Sequence, residues 1–130
     1  MTVVIRVASV KQQRQGMTGY QIALFVRPDV VTLEIRQAWQ REGCELIVRS
    51  DYPPLEEAAN QRYAGALLDI KLQASYLFDL SELLTLRAIP HVFVVTDEAQ
   101  QSHYALNGGP TSIRMILDEL LYQDDEGHRH

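Results

Sequence analysis

The feature that most narrows the fold is a short apolar run ending in one acid: Ala64-Gly65-Ala66-Leu67-Leu68-Asp69-Ile70-Lys71-Leu72. A run of this kind reads as a strand covered on both faces, as central strands of parallel sheets are. Asp69 falls where the strand gives way to a loop. In an open parallel α/β sheet, ligand chemistry sits just beyond the carboxyl ends of the strands, which is where a functional acid would stand. An aspartate also starts turns and caps helices without doing chemistry. Position alone leaves both roles open.

The flanking sequence repeats the strand–helix alternation that such a sheet needs. Residues 21–26 are a short apolar strand. Asp29 is placed to cap a helix running to about Glu42, with Val31, Ile35, Ala38 and Trp39 on one face. Gly43 follows its end, as a terminating glycine should. Residues 44–48 form a second strand, and Pro53-Pro54 opens a helix whose apolar stripe is Leu55, Ala58 and Ala59. After the Asp69 strand, residues 79–88 are helical, with Leu80, Leu83, Leu84 and Leu86 mostly inward, until Ile89-Pro90 breaks the helix. Residues 91–95 are an apolar strand after the initial histidine, 97–102 a short helix, and 104–106 a small edge strand. The turn Asn107-Gly108-Gly109-Pro110 leads into a helix at 111–122 with Ile113, Ile116, Leu117 and Leu120 inward.

Five strands alternating with five helices give an α/β fold: a doubly wound five-stranded parallel sheet with right-handed crossovers and strand order 2-1-3-4-5. The compact domain spans 19–122. The acidic, histidine-ended residues 123–130 read as a disordered tail. Residues 1–18 combine a Val/Ile-rich stretch with a glutamine-rich link. They form either an extra edge strand or dimer arm, or an upstream extension of a domain that begins near Met17.

Composition excludes some classes of function. With 12 Lys and Arg against 17 Asp and Glu, the net charge is -5, the wrong sign for general nucleic-acid binding. No apolar run approaches the roughly 20 residues of a membrane span, and no segment has signal-peptide architecture. The single cysteine, Cys44, has no partner for an internal disulfide, which fits a reducing cytoplasm.

Three runs, taken in order and spacing, carry a resemblance: Gly43-Cys44-Glu45-Leu46-Ile47-Val48, Ala66-Leu67-Leu68-Asp69-Ile70-Lys71-Leu72 and Ile89-Pro90-His91-Val92-Phe93-Val94, with Pro110 and its helix in register. Together they resemble the receiver domain of bacterial response regulators over residues 20–122. Ser75-Tyr76 is similar to a subgroup of single-domain receivers. The resemblance implies a flavodoxin-like fold and makes Asp69 the position that accepts a phosphoryl group from a histidine kinase. Phosphorylation in that family rearranges a face that binds a partner.

The family's supporting residues are not where the resemblance would put them. The two acids that hold Mg²⁺ fall at Val26 and Arg27, with Asp29 two residues further on. The Thr or Ser that ends the fourth strand falls at Val95, with Thr96 one residue late. The lysine before the last proline falls at Gly109, and the aromatic switch residue at Leu106. Lys71 also neighbours the site. Phosphoryl transfer depends on positioned charge, so these losses imply a receiver-like signalling domain without regulated phosphorylation of Asp69. It would be no enzyme, need no cofactor and act by contact with a protein partner, such as a histidine kinase or downstream effector. Arg27 either pairs with Asp69 as a built-in cation or is solvated at the loop mouth.

Two alternatives stand beside that reading. One is a phosphorylatable single-domain regulator using Asp69 and Mg²⁺. The other is a small-ligand-binding or enzymatic domain using the sheet edge and the Gly108-Gly109 turn. A homodimer is expected, either through the face of the fourth helix, fifth strand and fifth helix, including Tyr104 and Ile113, or through the N-terminal strand. His91, His103, Cys44 and Trp39 read as structural, His128 and His130 belong to the tail, and no nucleophile–base pair is visible in the spacing.

Overall fold

The computed structural model describes residues 20–96 and 104–128. Its strands are β1 (Tyr20–Phe25), β2 (Cys44–Arg49), β3 (Gly65–Asp69), β4 (His91–Val95) and β5 (Tyr104–Ala105). They form one all-parallel sheet in the order β2-β1-β3-β4-β5, so the flavodoxin-like 2-1-3-4-5 arrangement is present and β3 is central. The helices are α1 (Leu33–Arg41), α2 (Leu55–Ala58), α3 (Ala74–Leu86) and α4 (Pro110–His128).

Alternation along the central strands feeds two cores. On one face, Ile22, Leu24, Leu67, Val92 and Val94 pack with Trp39 of α1 and with Ile113, Ile116 and Leu120 of α4. On the other, Ala23, Phe25, Ala66 and Leu68 meet Ala58 of α2 and Leu77, Leu80 and Leu84 of α3. Every residue of β3 is buried, and Leu67 and Leu68 are fully so; each such side chain contributes about 1.5–3 kcal/mol. Gly65 is set by a close approach. A Cβ there would lie 3.1 Å from the Leu120 side chain and 3.3 Å from the Pro90 carbonyl, so Leu120 or Pro90 would have to give by a few tenths of an ångström.

Several boundaries differ from the sequence pattern, each for a local reason. Asp29 does not cap α1; it sits in a left-handed turn at φ 68°, a conformation Asp tolerates. The cap is Thr32, whose Oγ1 accepts the Ile35 N–H at 3.2 Å. Gly43 follows α1 at φ 86°, as its position implied. Helix α3 starts at Ala74 rather than at residue 79, because packing by Tyr76 and Leu77 overrides the weak helix propensity of Ser75 and Tyr76. Its other end is a Schellman turn: Ile89 N–H reaches the Leu84 carbonyl, Ala88 N–H reaches Thr85, and Ala88 takes φ 59°. Helix α4 runs on to His128, so residues 123–128 are helical where a disordered tail was expected. The expected helix at 97–102 and the segment 1–18 lie outside the described residues. No described helix is long and apolar enough to cross a membrane.

Candidate functional site at the carboxyl edge of the sheet

Asp69 ends the central strand and is fully buried. A carboxylate removed from water needs donors, and three surround it. Oδ2 accepts from Arg27 Nε at 2.9 Å and from the Arg27 backbone N–H at 3.3 Å, while Oδ1 accepts the Lys71 backbone N–H at 3.0 Å. The same guanidinium donates from Nη2 to Thr96 Oγ1 at 2.5 Å. Arg27 therefore ties together the chain leaving β1, the end of β3 and the end of β4. Its own side chain is 41% exposed, so the pair is buried at the acid and open to water at the base.

Local sequence explains the geometry. Val26 is 1% exposed and locked in the core, with its N–H on the Arg49 carbonyl, so the next residue, Arg27, turns out over the sheet edge. Beyond Asp69, Leu72 N–H returns to the Asp69 carbonyl at 3.0 Å and closes a tight turn that aims the Lys71 N–H at the carboxylate. The arrangement does not fit Mg²⁺. A hard cation takes oxygen ligands. Here an apolar Val26 and a guanidinium stand where the resemblance asks for acids, and Arg27 already holds Oδ2. Among the described residues, no group of three or more His, Cys, Asp or Glu gathers to hold a metal ion.

The other positions divide plainly. Thr96 joins the site through Arg27, and Lys71 joins it through its backbone only. Asp29 is exposed on its turn, Val95 is buried at 2%, and Leu106 is a core residue. The Gly109 N–H is used locally, donating to Asn107 Oδ1 at 2.8 Å. Of the two roles open to Arg27, the pairing with Asp69 is the one observed.

Beside the site, Tyr52 OH accepts the Gln73 N–H at 3.0 Å, which supplies the start of α3 with the capping partner that Gln73 lacks. Its ring meets Tyr76 edge-on at 4.9 Å, and Tyr76 OH donates to the Pro53 carbonyl at 2.6 Å. The depression there, bordered by Phe25, Arg49, Tyr52 and Leu72, has no interior space even for a water-sized molecule, unlike the usual ligand pocket. Arg49 beside it is paired with Asp51 and Glu57.

Two pairings carry no signal in the sequence. His91 Nδ1 faces the Ile89 carbonyl at 3.1 Å and must donate to it, which leaves Nε2 to accept the Ser81 hydroxyl at 2.9 Å. A hydroxyl–imidazole pair thus exists where none was expected; it tethers α3 to β4. Gln123 also uses its amide on both backbone groups of His91, accepting its N–H at 2.9 Å and donating to its carbonyl at 2.9 Å. Ten and 32 residues separate these partners, and only the fold brings them together. Cys44 is core, with burial and then Glu42 pushing its thiol up to about 12, so it carries no thiolate at neutral pH. Set against family models, curated proteins and solved structures, the chain matches none.

Proposed function

We propose that this chain is a receiver-like signalling domain of the two-component type that works by protein contact, with Arg27 standing in permanently for the charge that Mg²⁺ and a phosphoryl group would bring to Asp69. The observation that carries this reading is Arg27 Nε at 2.9 Å from Asp69 Oδ2, with its Nη2 on Thr96. An aspartate that attacks phosphorus must present an oxygen lone pair beside a cation that screens the incoming group. Here Oδ2 faces a guanidinium and Oδ1 a backbone N–H, and the cation belongs to the chain itself. The loops after β1, β3 and β4 are thereby held in one arrangement, which suits a constant output rather than a switched one.

In this reading the domain is cytoplasmic and dimeric. Ile113, expected at the dimer face, is 1% exposed and belongs to the core. Met115 and Tyr122, exposed on one side of α4, take that place beside Tyr104. Incubation with acetyl phosphate and Mg²⁺, read by intact mass, tests the reading, and no added phosphoryl mass is expected. A stoichiometric adduct that disappears in Asp69→Ala would overturn it.

A further inference from the structure

Three non-glycine residues among those described take a left-handed backbone, and two of them have a local reason. Asp29 belongs to a residue type that tolerates it, and Ala88 closes the Schellman turn that ends α3. Tyr52, at φ 49°, has neither: it is a bulky aromatic residue, and it lies between β2 and α2 with no helix ending beside it. Strain of this kind persists only where the surroundings over-determine it, and it gathers where a site has to be held.

What holds Tyr52 is a clasp between the loop after β2 and the start of α3. From the loop, Tyr52 OH accepts the Gln73 N–H at 3.0 Å; from the helix, Tyr76 OH donates to the Pro53 carbonyl at 2.6 Å. The two rings meet edge-on at 4.9 Å between these bonds. Burial holds the Tyr76 phenol above its ordinary pKa, so it keeps the proton that it donates. Each hydroxyl thus reaches the backbone of the other segment, and each bond steadies the segment that carries the other.

The chain so clasped is the turn that follows Asp69. Its successive N–H groups divide between two acceptor residues. Lys71 donates to Asp69 Oδ1 at 3.0 Å and Leu72 to the Asp69 carbonyl at 3.0 Å, while Gln73 donates to Tyr52. Two of the three return to Asp69, and the third anchors the turn from outside. Lys71 and Gln73 are two residues apart, roughly 7 Å even in extended chain, so a shift at one end is felt at the other.

We propose that Tyr52 is a positioning residue for Asp69: by gripping Gln73 it keeps the Lys71 N–H on Oδ1, and it adds the loop after β2 to the three loops that Arg27 gathers. Tyr52 acts through the chain and does not itself bond the carboxylate. The two oxygens are then secured separately. Arg27 brings charge to Oδ2, and the clasp keeps the backbone donor of Oδ1 in place. A fully buried carboxylate keeps its donors only while the turn beside it is fixed, which is why strain at Tyr52 is sustained. The proposal rests on the reading of this edge as a site held in one state.

The test uses the full 130-residue chain, ¹⁵N-labelled, as wild type, Tyr52→Phe and Tyr76→Phe. Phenylalanine keeps each ring and removes only the hydroxyl. In Tyr52→Phe, amide exchange should rise roughly tenfold at Gln73 and in step with it at Lys71, while Leu67 in β3 stays unchanged. Tyr76→Phe should speed the same two amides by a smaller factor. The Arg27 Nε–H signal should keep its position and its slow exchange in both variants. A rise at Gln73 without one at Lys71 makes Tyr52 a helix cap only and overturns the proposal. Equal acceleration at Leu67 shows a general loss of stability and overturns it too, as does no change at either amide. An Arg27 Nε–H that exchanges in the wild type as freely as an exposed arginine would sink the Arg27 reading and leave the Tyr52 result standing; an unmoved Lys71 does the reverse.

Discussion

The half of the sheet made by β2, β1 and β3 is closed differently from the half made by β4 and β5. In the first half, β1 pairs with β2 along all six residues and with β3 from Ile22 to Phe25, and apolar side chains close both faces. The charge of Asp69 at its upper edge is met by Arg27. In the second half, β5 has two residues, Phe93 is partly open to water, and polar side chains finish what strands leave undone. Gln123 takes both backbone groups of His91, and Ser81 takes its ring. The first half supplies Arg27 and Asp69, and the second is joined to them through Thr96.

The largest effect should come from cutting equivalent weight out of each half. Leu67→Ala, in the fully buried centre, is expected to lower unfolding free energy by about 2–5 kcal/mol in urea titration. Phe93→Ala removes a bigger side chain and should cost only about 1 kcal/mol. Equal losses would erase the distinction between the halves. Next is Arg27→Ala, which strands a buried carboxylate on two backbone N–H donors. The expected loss is about 1–3 kcal/mol, below that of a fully buried pair because the guanidinium is 41% exposed. A cycle with Asp69→Ala should recover part of it; simple additivity would mean the two side chains do not act together.

On the open side, Gln123→Ala should cost about 1 kcal/mol and speed amide exchange at His91 more than at Leu67. Uniform exchange rates across β3 and β4 would show that Gln123 has no local role. The smallest effect lies at Ala88, the joint between α3 and β4. Glycine accepts its φ of 59° without the Cβ penalty, so Ala88→Gly should stabilise by about 0.5 kcal/mol. A loss would mean that the methyl packs usefully there.

The closed half was also the more legible. Its strands are continuous apolar runs, and runs of this type have one reading wherever they occur. Strand order, the central place of β3 and the position of Asp69 follow from them. Arg27 was placed at the site, but its orientation was not readable, because a guanidinium pairs or points to solvent according to what the loop beneath it does. That is settled by Val26, whose burial the sequence does indicate, together with a hydrogen bond to β2 that it does not. The cap of α1 was misplaced on Asp29 because Asp and Thr are both good caps, and only the left-handed turn decides between them. The start of α3 was hidden for a related reason: its first turn is stabilised by Tyr52, more than twenty residues earlier. In the open half almost nothing polar was legible, since Ser81, His91 and Gln123 become partners only through tertiary contact.

The Gln123 contact has a consequence for how the protein behaves in a crowded solution. A strand whose outward N–H and carbonyl groups are free is a template on which another chain can pair, and repeated pairing of that kind leads to insoluble assemblies. Along the outer edge of β4 the lowest template position, His91, is filled by an amide that copies a peptide group but belongs to a side chain and extends no further. A chain arriving there finds the backbone already satisfied and, above it, a two-residue strand too short to seed pairing. At this edge of the sheet the His91 backbone is thus closed by a side chain rather than by a further strand.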